Sequence, residues 1–141
     1  YTALLACVEE DTRAFNRLMD AFALPKNTEE EKNNRKTAIQ AATLQAMLVP
    51  SKVMHLACES MEVMKAMAEF GNPNSVSDAG VGALCARTAV RGAWLNVKIN
   101  AGGLADQGKK EEILNEAAVV AEKAEMLEKE ILEIVDEKIL K

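Results

Sequence analysis

Aromatic side chains are scarce in this 141-residue sequence: one Trp, one Tyr and three Phe, or 4% of the chain. A core without them must be built from Leu, Ala, Met, Val and Ile, a composition that favours packed helices over a sheet sandwich. Cysteine is equally sparse. Cys7, Cys58 and Cys85 show no Cys-x-x-Cys spacing and each falls among apolar neighbours, so they read as reduced core residues of a cytosolic protein, with a catalytic thiol as the alternative. His55 is the single histidine. With Glu59 one turn on it offers too few ligands for a metal and no His-Glu-x-x-His pattern, so no metal site is expected and His55 reads as structural. No apolar run is long enough to span a membrane and no signal peptide is visible, which points to a cytoplasmic protein without a membrane partner. A cationic excess is also missing: the formal net charge is −5, which argues against a nucleic-acid partner, since phosphate binding needs a concentrated positive footprint. Small anionic ligands remain compatible with it.

What is present is apolar periodicity. With 49% apolar and 28% charged residues, residues 1–141 read as one all-α domain, an antiparallel bundle of long, partly kinked helices. The first helix covers residues 1 to about 22 and stops at Leu24-Pro25-Lys26-Asn27, because proline disfavours helical geometry in the residue before it. It begins without a clear cap, with apolar residues already in register at Leu5, Val8, Phe15, Leu18 and Phe22. The expectation is that the sequence starts inside a helix and that upstream sequence is missing.

Thr28-Glu29-Glu30-Glu31 has the form of a capping box. The helix it opens reaches about Phe70, with a kink or break expected at Pro50. Met47, Met54, Met61, Met64 and Met67 lie along it at helical spacing and read as core filler rather than as a thioether site. Gly71-Asn72-Pro73-Asn74 is a turn by composition, and Ser75 or Ser77 is expected to cap the next helix, which runs to about Ala101 and stops at Gly102-Gly103. A last helix, roughly 106–139, carries Ile113, Ala117, Val120, Ala124, Leu127, Ile131 and Ile134 at alternating spacings of four and three. That is a coiled-coil-like seam for a bundle core or a subunit contact.

The helix over residues 77–100 breaks local rules. On a wheel, Asp78, Asn96 and Asn100 fall within about 40° of one another, on a side floored by Gly82, Cys85, Ala89, Gly92 and Ala93. Nearly opposite lie Arg87, Arg91 and Lys98, near Trp94 and Gly80. Each of Gly80, Gly82 and Gly92 costs roughly 1 kcal/mol relative to alanine in a helix interior. Either a neighbouring helix or a ligand must approach the backbone closely. The cationic face is either solvated and ion-paired or a carboxylate receptor built on the arginine fork.

Gly71-Asn72-Pro73-Asn74-Ser75, then Ser77-Asp78-Ala79-Gly80-Val81, then Arg91-Gly92-Ala93-x-Leu95-Asn96-Val97-x-Ile99-Asn100, closely resembles the cyclodeaminase/cyclohydrolase family, the C-terminal domain of formiminotransferase-cyclodeaminase and its free-standing relatives. Val8-Glu9-Glu10-Asp11-Thr12-Arg13-Ala14-Phe15-Asn16 resembles the acidic helix of that family. Leu24 to Lys32, with Arg35, resembles its following loop and helix start, and Val49-Pro50 also fits. The resemblance covers nearly the whole chain. It departs in one respect: the N-terminal helical portion of the family, with its Pro-Gly-Gly-Gly-Ser-like segment, has no counterpart here.

The resemblance implies tetrahydrofolate one-carbon chemistry, the closure of 5-formiminotetrahydrofolate to 5,10-methenyltetrahydrofolate with release of ammonia, as in histidine degradation. Some relatives instead open the methenyl ring with water. Either reaction needs groups that move protons and groups that fix the pterin, which a carboxylate with amides around it can supply without a metal or any cofactor beyond the folate. Asp78 is the first candidate for acid/base work or pterin recognition and Asp11 the second. Asn72, Asn74, Asn96 and Asn100 are candidates for orienting the ring system, and Lys26, Arg35, Arg87 and Arg91 for the glutamate tail. Asp78 and Asn96 are about 27 Å apart on a straight helix, so they cannot both touch one reacting carbon. A homodimer or higher homo-oligomer is therefore expected, with sites near the interface. A formiminotransferase domain or protein is a further implied partner. The reading from a different class is a non-catalytic helical assembly module.

Overall fold

The expected capping box is in place at Thr28. Its hydroxyl accepts from the Glu31 amide at 3.1 Å, and the Glu31 carboxylate accepts from the amides of Asn27 and Thr28 at 2.7 and 3.1 Å. This satisfies two of the four orphan donors at the start of α2 (Glu29–Phe70), which follows α1 (Thr2–Ala23) in a computed structural model that describes residues 2–140. Tyr1, where the first helix was expected to begin, lies outside them. Thr28→Ala removes half of this reciprocal cap and should lower stability by about 1 kcal/mol, read as a lower urea midpoint at unchanged slope.

The chain continues through a 3-10 turn (Pro73–Ser75) into α3 (Val76–Ala101) and ends in α4 (Gln107–Ile139). The expected serine cap of α3 is not used. Asn72 caps the 3-10 turn instead, accepting from the Asn74 amide at 3.0 Å, while Ser75 makes no side-chain cap bond. The Ser75 amide is already bonded to the Asn72 carbonyl at 2.9 Å, so the turn feeds directly into the helix. α2 stays helical through Pro50, so the expected break does not occur there. Pro50 is buried, and the Ala46 carbonyl four residues back, which loses its helical donor to the proline, accepts from the Asn100 side chain at 3.0 Å.

Pairings fix the helix directions. Phe22 and Arg35 meet, as do Glu10 and Lys52, so α1 runs opposite to α2. Gln40 reaches Gly103, and Asn100 reaches Ala46, so α3 also runs opposite to α2. Contacts between α2 and α4 advance in the same sense: His55 with Glu116, Glu62 with Lys123, Lys65 with Glu130, and Ala68 with Lys138. The Lys138 ammonium donates to the carbonyls of Ala68 and Glu69, satisfying acceptors in the last turn of α2. Gln40 latches the α3–α4 connection from both sides, donating to Gly103 and accepting from the Ala105 amide at 2.7 Å.

The core lies between α2, α3 and α4. Met47, Met54 and Met61 are fully buried, Met64 is half-buried and Met67 is exposed, so the methionine stripe is core for most of its length and leaves it near the end of α2. On α4 the predicted seam is buried from Ile113 to Ile131, but Val135 takes the last inward position while Ile134 is half-buried. A strict heptad drifts on a straight helix, and the seam slips by one residue at its end. Cys7 and Cys58 are buried as expected, whereas Cys85 is exposed. Burial raises the Cys58 thiol above its ordinary range, which suits a packing residue and not a nucleophile.

Candidate functional site

Three helices frame a cleft of about 440 Å³. α1 contributes Leu4, Cys7, Val8, Asp11 and Thr12, α2 contributes Pro50 and Val53, and α3 contributes Ala89, Gly92, Ala93 and Asn96. Spacings of three and four put the α1 residues on one face. α1 is held over α2 by the Lys52 ammonium, which donates to both Glu10 carboxylate oxygens at 2.8 and 2.9 Å. Asp11, next in sequence, makes no hydrogen bond or ion pair among the described residues. It is the carboxylate of an otherwise largely apolar cleft.

The glycines of α3 separate on inspection of their surroundings. A Cβ on Gly80 would meet Val135 at 3.4 Å, and one on Gly82 would meet the Met64 sulfur at 3.3 Å. Both face a neighbouring helix, Gly82 tightly and Gly80 at ordinary contact distance. Gly92 is different: a Cβ there meets nothing within 4 Å. Packing does not require this glycine, and it lies in the floor of the cleft.

Asn96 and Asn100, one turn apart, form a unit. The Asn100 side-chain nitrogen lies 3.0 Å from the Ala46 carbonyl, 3.0 Å from the Asn96 carbonyl and 3.1 Å from Asn96 Oδ1. Backbone carbonyls only accept, so the Asn100 atom facing them is nitrogen; its two hydrogens serve three acceptors, with one shared between the Asn96 carbonyl and the Asn96 side-chain atom facing it, which is therefore oxygen.

Behind Gly92, a second cleft of about 670 Å³ is lined by Leu84, Arg87, Thr88, Arg91, Gly92, Leu95, Glu125 and Glu128. Arg87 is committed to α4, with Nη2 3.2 Å from Glu125 and Nε 3.1 Å from Glu128. The Nε contact is close without being aligned as a hydrogen bond, and Nη1 has no partner among the described residues. Two carboxylates around one guanidinium leave no net positive charge for a ligand's carboxylate. Arg91 is exposed and is free of ion pairs among the described residues. Lys98 stacks on the Trp94 ring, 5.1 Å from its centroid.

The other sequence candidates lie elsewhere. Lys26 and Arg35 share a cationic groove of about 300 Å³ with Lys32 and Lys36, but Arg35 already donates to the Phe22 carbonyl at 3.1 and 3.3 Å, capping α1. Asp78 is exposed in the first turn of α3, and Asn72 and Asn74 are in the turn before it. None of these three lines either cleft beside Gly92. The structure thus brings Asp11 to Asn96, ties Asn100 behind Asn96, and leaves Asp78 at the far end of the same helix. Leu4, Val8, Thr12, Pro50 and Val53 were not anticipated as lining. For Val8 and Thr12 the signal was their i, i+4 spacing alongside that of Cys7 with Asp11; Leu4, Pro50 and Val53 carried none. His55 Nε2 sits 3.3 Å from Glu116 on the α2–α4 face, away from the cleft. No group of three or more His, Cys, Asp or Glu side chains placed to hold a metal ion occurs among the described residues.

Residues 1–119 match the family model described as formiminotransferase-cyclodeaminase. The chain belongs to this family. It is 40% identical over 136 residues to a methenyltetrahydrofolate cyclohydrolase of Methylorubrum extorquens, a match that covers 96% of this chain and 65% of that protein. It is 37% identical over 108 residues to the formimidoyltransferase-cyclodeaminase of Mus musculus, covering 77% of this chain and 20% of the mouse protein. The chain therefore spans about two thirds or less of the length of these relatives. A crystal structure of formiminotetrahydrofolate cyclodeaminase from Thermotoga maritima shares the fold, with a TM-score of 0.81 at 23% identity, over 95% of this chain and 63% of that one. Among the described residues no helix is long and apolar enough to cross a membrane.

Proposed function

We propose that this protein performs one-carbon chemistry on tetrahydrofolate at the cleft between α1, α2 and α3, and that the reaction is hydrolysis of 5,10-methenyltetrahydrofolate. The observation that carries the reading is the match to the Methylorubrum cyclohydrolase, which runs through nearly the whole chain. Water adds to the methenyl carbon between N5 and N10 and releases one of its protons, the other staying on the adduct's hydroxyl until it passes to N5. The tetrahedral adduct then breaks its bond to N5, which takes up a proton, leaving the formyl group on N10. The second reading is the ring closure named for the mouse relative, in which N10 attacks a formimino carbon on N5 and ammonia departs; the family description favours it. Both reactions pass through a tetrahedral carbon in the same place, so one cleft serves either.

Of the two carboxylates the sequence singles out, Asp11 leads because it lines a cleft, and Asp78 follows. Arg91 leads for the glutamate tail, since it stands beside Gly92 with its charge uncommitted, ahead of Arg87, Lys26 and Arg35. Asn96 contacts the ring system, with Asn72 and Asn74 belonging to a different end of the molecule. The reaction needs no metal and no cofactor beyond the folate.

The protein works in the cytoplasm as at least a homodimer, with a formiminotransferase domain or protein as a further partner. Leu5, Val8, Phe15 and Phe22 on α1 and Leu95 and Ile99 on α3 are exposed, the apolar surface a subunit contact would cover. Light scattering that returns a monomer at micromolar concentration would remove the dimer. Supplying 5,10-methenyltetrahydrofolate and 5-formiminotetrahydrofolate in separate assays of one preparation decides between the two reactions. Faster turnover of the methenyl compound is expected, and faster ammonia release from the formimino compound would reverse the order.

A further inference from the structure

The Asn100–Asn96 pair gives the cleft a direction. Because Asn96 Oδ1 is held by the Asn100 nitrogen, and Asn100 is itself pinned to the Ala46 carbonyl of α2, the Asn96 amide nitrogen is the atom left to face a ligand. It can only donate. Asp11, as a carboxylate, accepts. The cleft therefore asks for a ligand that presents donors on one side, an acceptor beside them and a flat apolar body behind.

We propose that this pair reads the pyrimidinone edge of the pterin, with Asp11 accepting from the 2-amino group and N3–H and the Asn96 amide donating to the 4-oxo oxygen. This rests on the folate reading above. A carboxylate accepts two adjacent N–H groups in the geometry of a bidentate pair, and the neighbouring carbonyl then falls to the donor beside it. The fused rings lie over Ala89, Gly92 and Ala93, where the missing Cβ of Gly92 lets a planar group reach the helix backbone. Pro50 and Val53 form the α2 side of the cleft. Asp11 is then engaged in recognition and not in proton transfer. Asn100 is a positioning residue: it touches no ligand and acts by fixing which end of Asn96 points into the cleft.

The test compares two probes, 5-formyltetrahydrofolate and its 4-amino-4-deoxy counterpart, in which the acceptor at position 4 becomes a donor and N3 loses its hydrogen. Equilibrium binding to the wild-type protein should favour the 4-oxo probe by roughly a hundredfold, the scale of one or two charge-assisted hydrogen bonds. Asn96→Asp keeps the oxygen that Asn100 holds and replaces the donor by an acceptor, so the preference should fall at least about tenfold. The conflict between Asp11 and the altered N3 is common to both proteins and cancels in that ratio. Asn100→Ala, checked for an intact melting transition, should reduce the preference in the same direction.

A merely structural role for either asparagine would weaken both probes equally and leave the preference unchanged, which would overturn the proposal. If methenyltetrahydrofolate is turned over while the preference is unaffected by Asn96→Asp, the pterin orientation is wrong and the folate reading stands. If neither probe binds and no folate is turned over, the folate reading falls and takes this one with it.

Discussion

Gly92→Leu should lower kcat/KM for methenyltetrahydrofolate by on the order of 10²-fold while leaving the protein folded, since misplacement of a bound substrate by about 1 Å already costs that much. The expectation comes from the contrast among the α3 glycines. Gly80 and Gly82 face Val135 and Met64, so larger side chains there would press into the core. Gly92 faces open space in the cleft floor. A leucine there starts from a Cβ that meets no protein atom within 4 Å and extends into the volume assigned to the pterin. The same contrast gives a companion result: Gly92→Ala should raise stability by about 1 kcal/mol, because a helix-interior glycine that packing does not need is an uncompensated propensity loss. A protein destabilised by Gly92→Ala would show that the backbone there depends on glycine for a reason the surroundings of Gly92 do not reveal. Gly92→Leu with undiminished turnover would remove the cleft from the site.

Met54→Ala should cost about 2–5 kcal/mol, a large part of the 5–15 kcal/mol that holds a domain of this size. Met54 is fully buried in the core between α2, α3 and α4, among Met47, Met61, Val90 and Ile131, which are also fully buried. Truncating a fully buried side chain in a close-packed interior leaves a cavity that the surroundings fill only in part. The measurement is a urea transition followed by circular dichroism, with the midpoint falling and the slope unchanged. Met67→Ala is the internal control. Met67 belongs to the same stripe but is exposed, and it should change stability by less than about 0.5 kcal/mol.

The elements were legible because each is specified locally. Thr28 and Glu31 are three residues apart, and the capping box they make needs nothing from the rest of the chain. The α4 seam follows from spacings of four and three, and it misplaces only its last residue, where Val135 replaces Ile134 after six inward positions. The Asn face of α3 was correctly separated from its arginine face, and the arginine face does turn towards α4, where Glu125 and Glu128 meet Arg87.

What was not legible is tertiary. Asp78 and Asn96 share a face of one helix, so the wheel groups them, yet only the Asn96 end lies under α1. Asp11 gained its place from the way α1 is laid over α2, through Lys52 and Glu10. Residues with no chemistry of their own, such as Val8, Pro50 and Val53, became lining because three helices happen to meet there. Cys85 reads as core by its apolar neighbours, but it is exposed. The asparagine pair carried a different kind of hidden information. Its spacing of four was visible, whereas the direction of the Asn96 amide depended on the Ala46 carbonyl contributed by another helix.

The most direct test of the central claim is the decay of methenyltetrahydrofolate absorbance at a catalytic concentration of the protein. The expected result is a rate proportional to protein, saturable in substrate, and lost in Gly92→Leu at a melting temperature no lower than that of the unsubstituted protein. A decay no faster than in buffer, together with no methenyltetrahydrofolate formed from 5-formiminotetrahydrofolate, would contradict it and leave the helical assembly reading in its place.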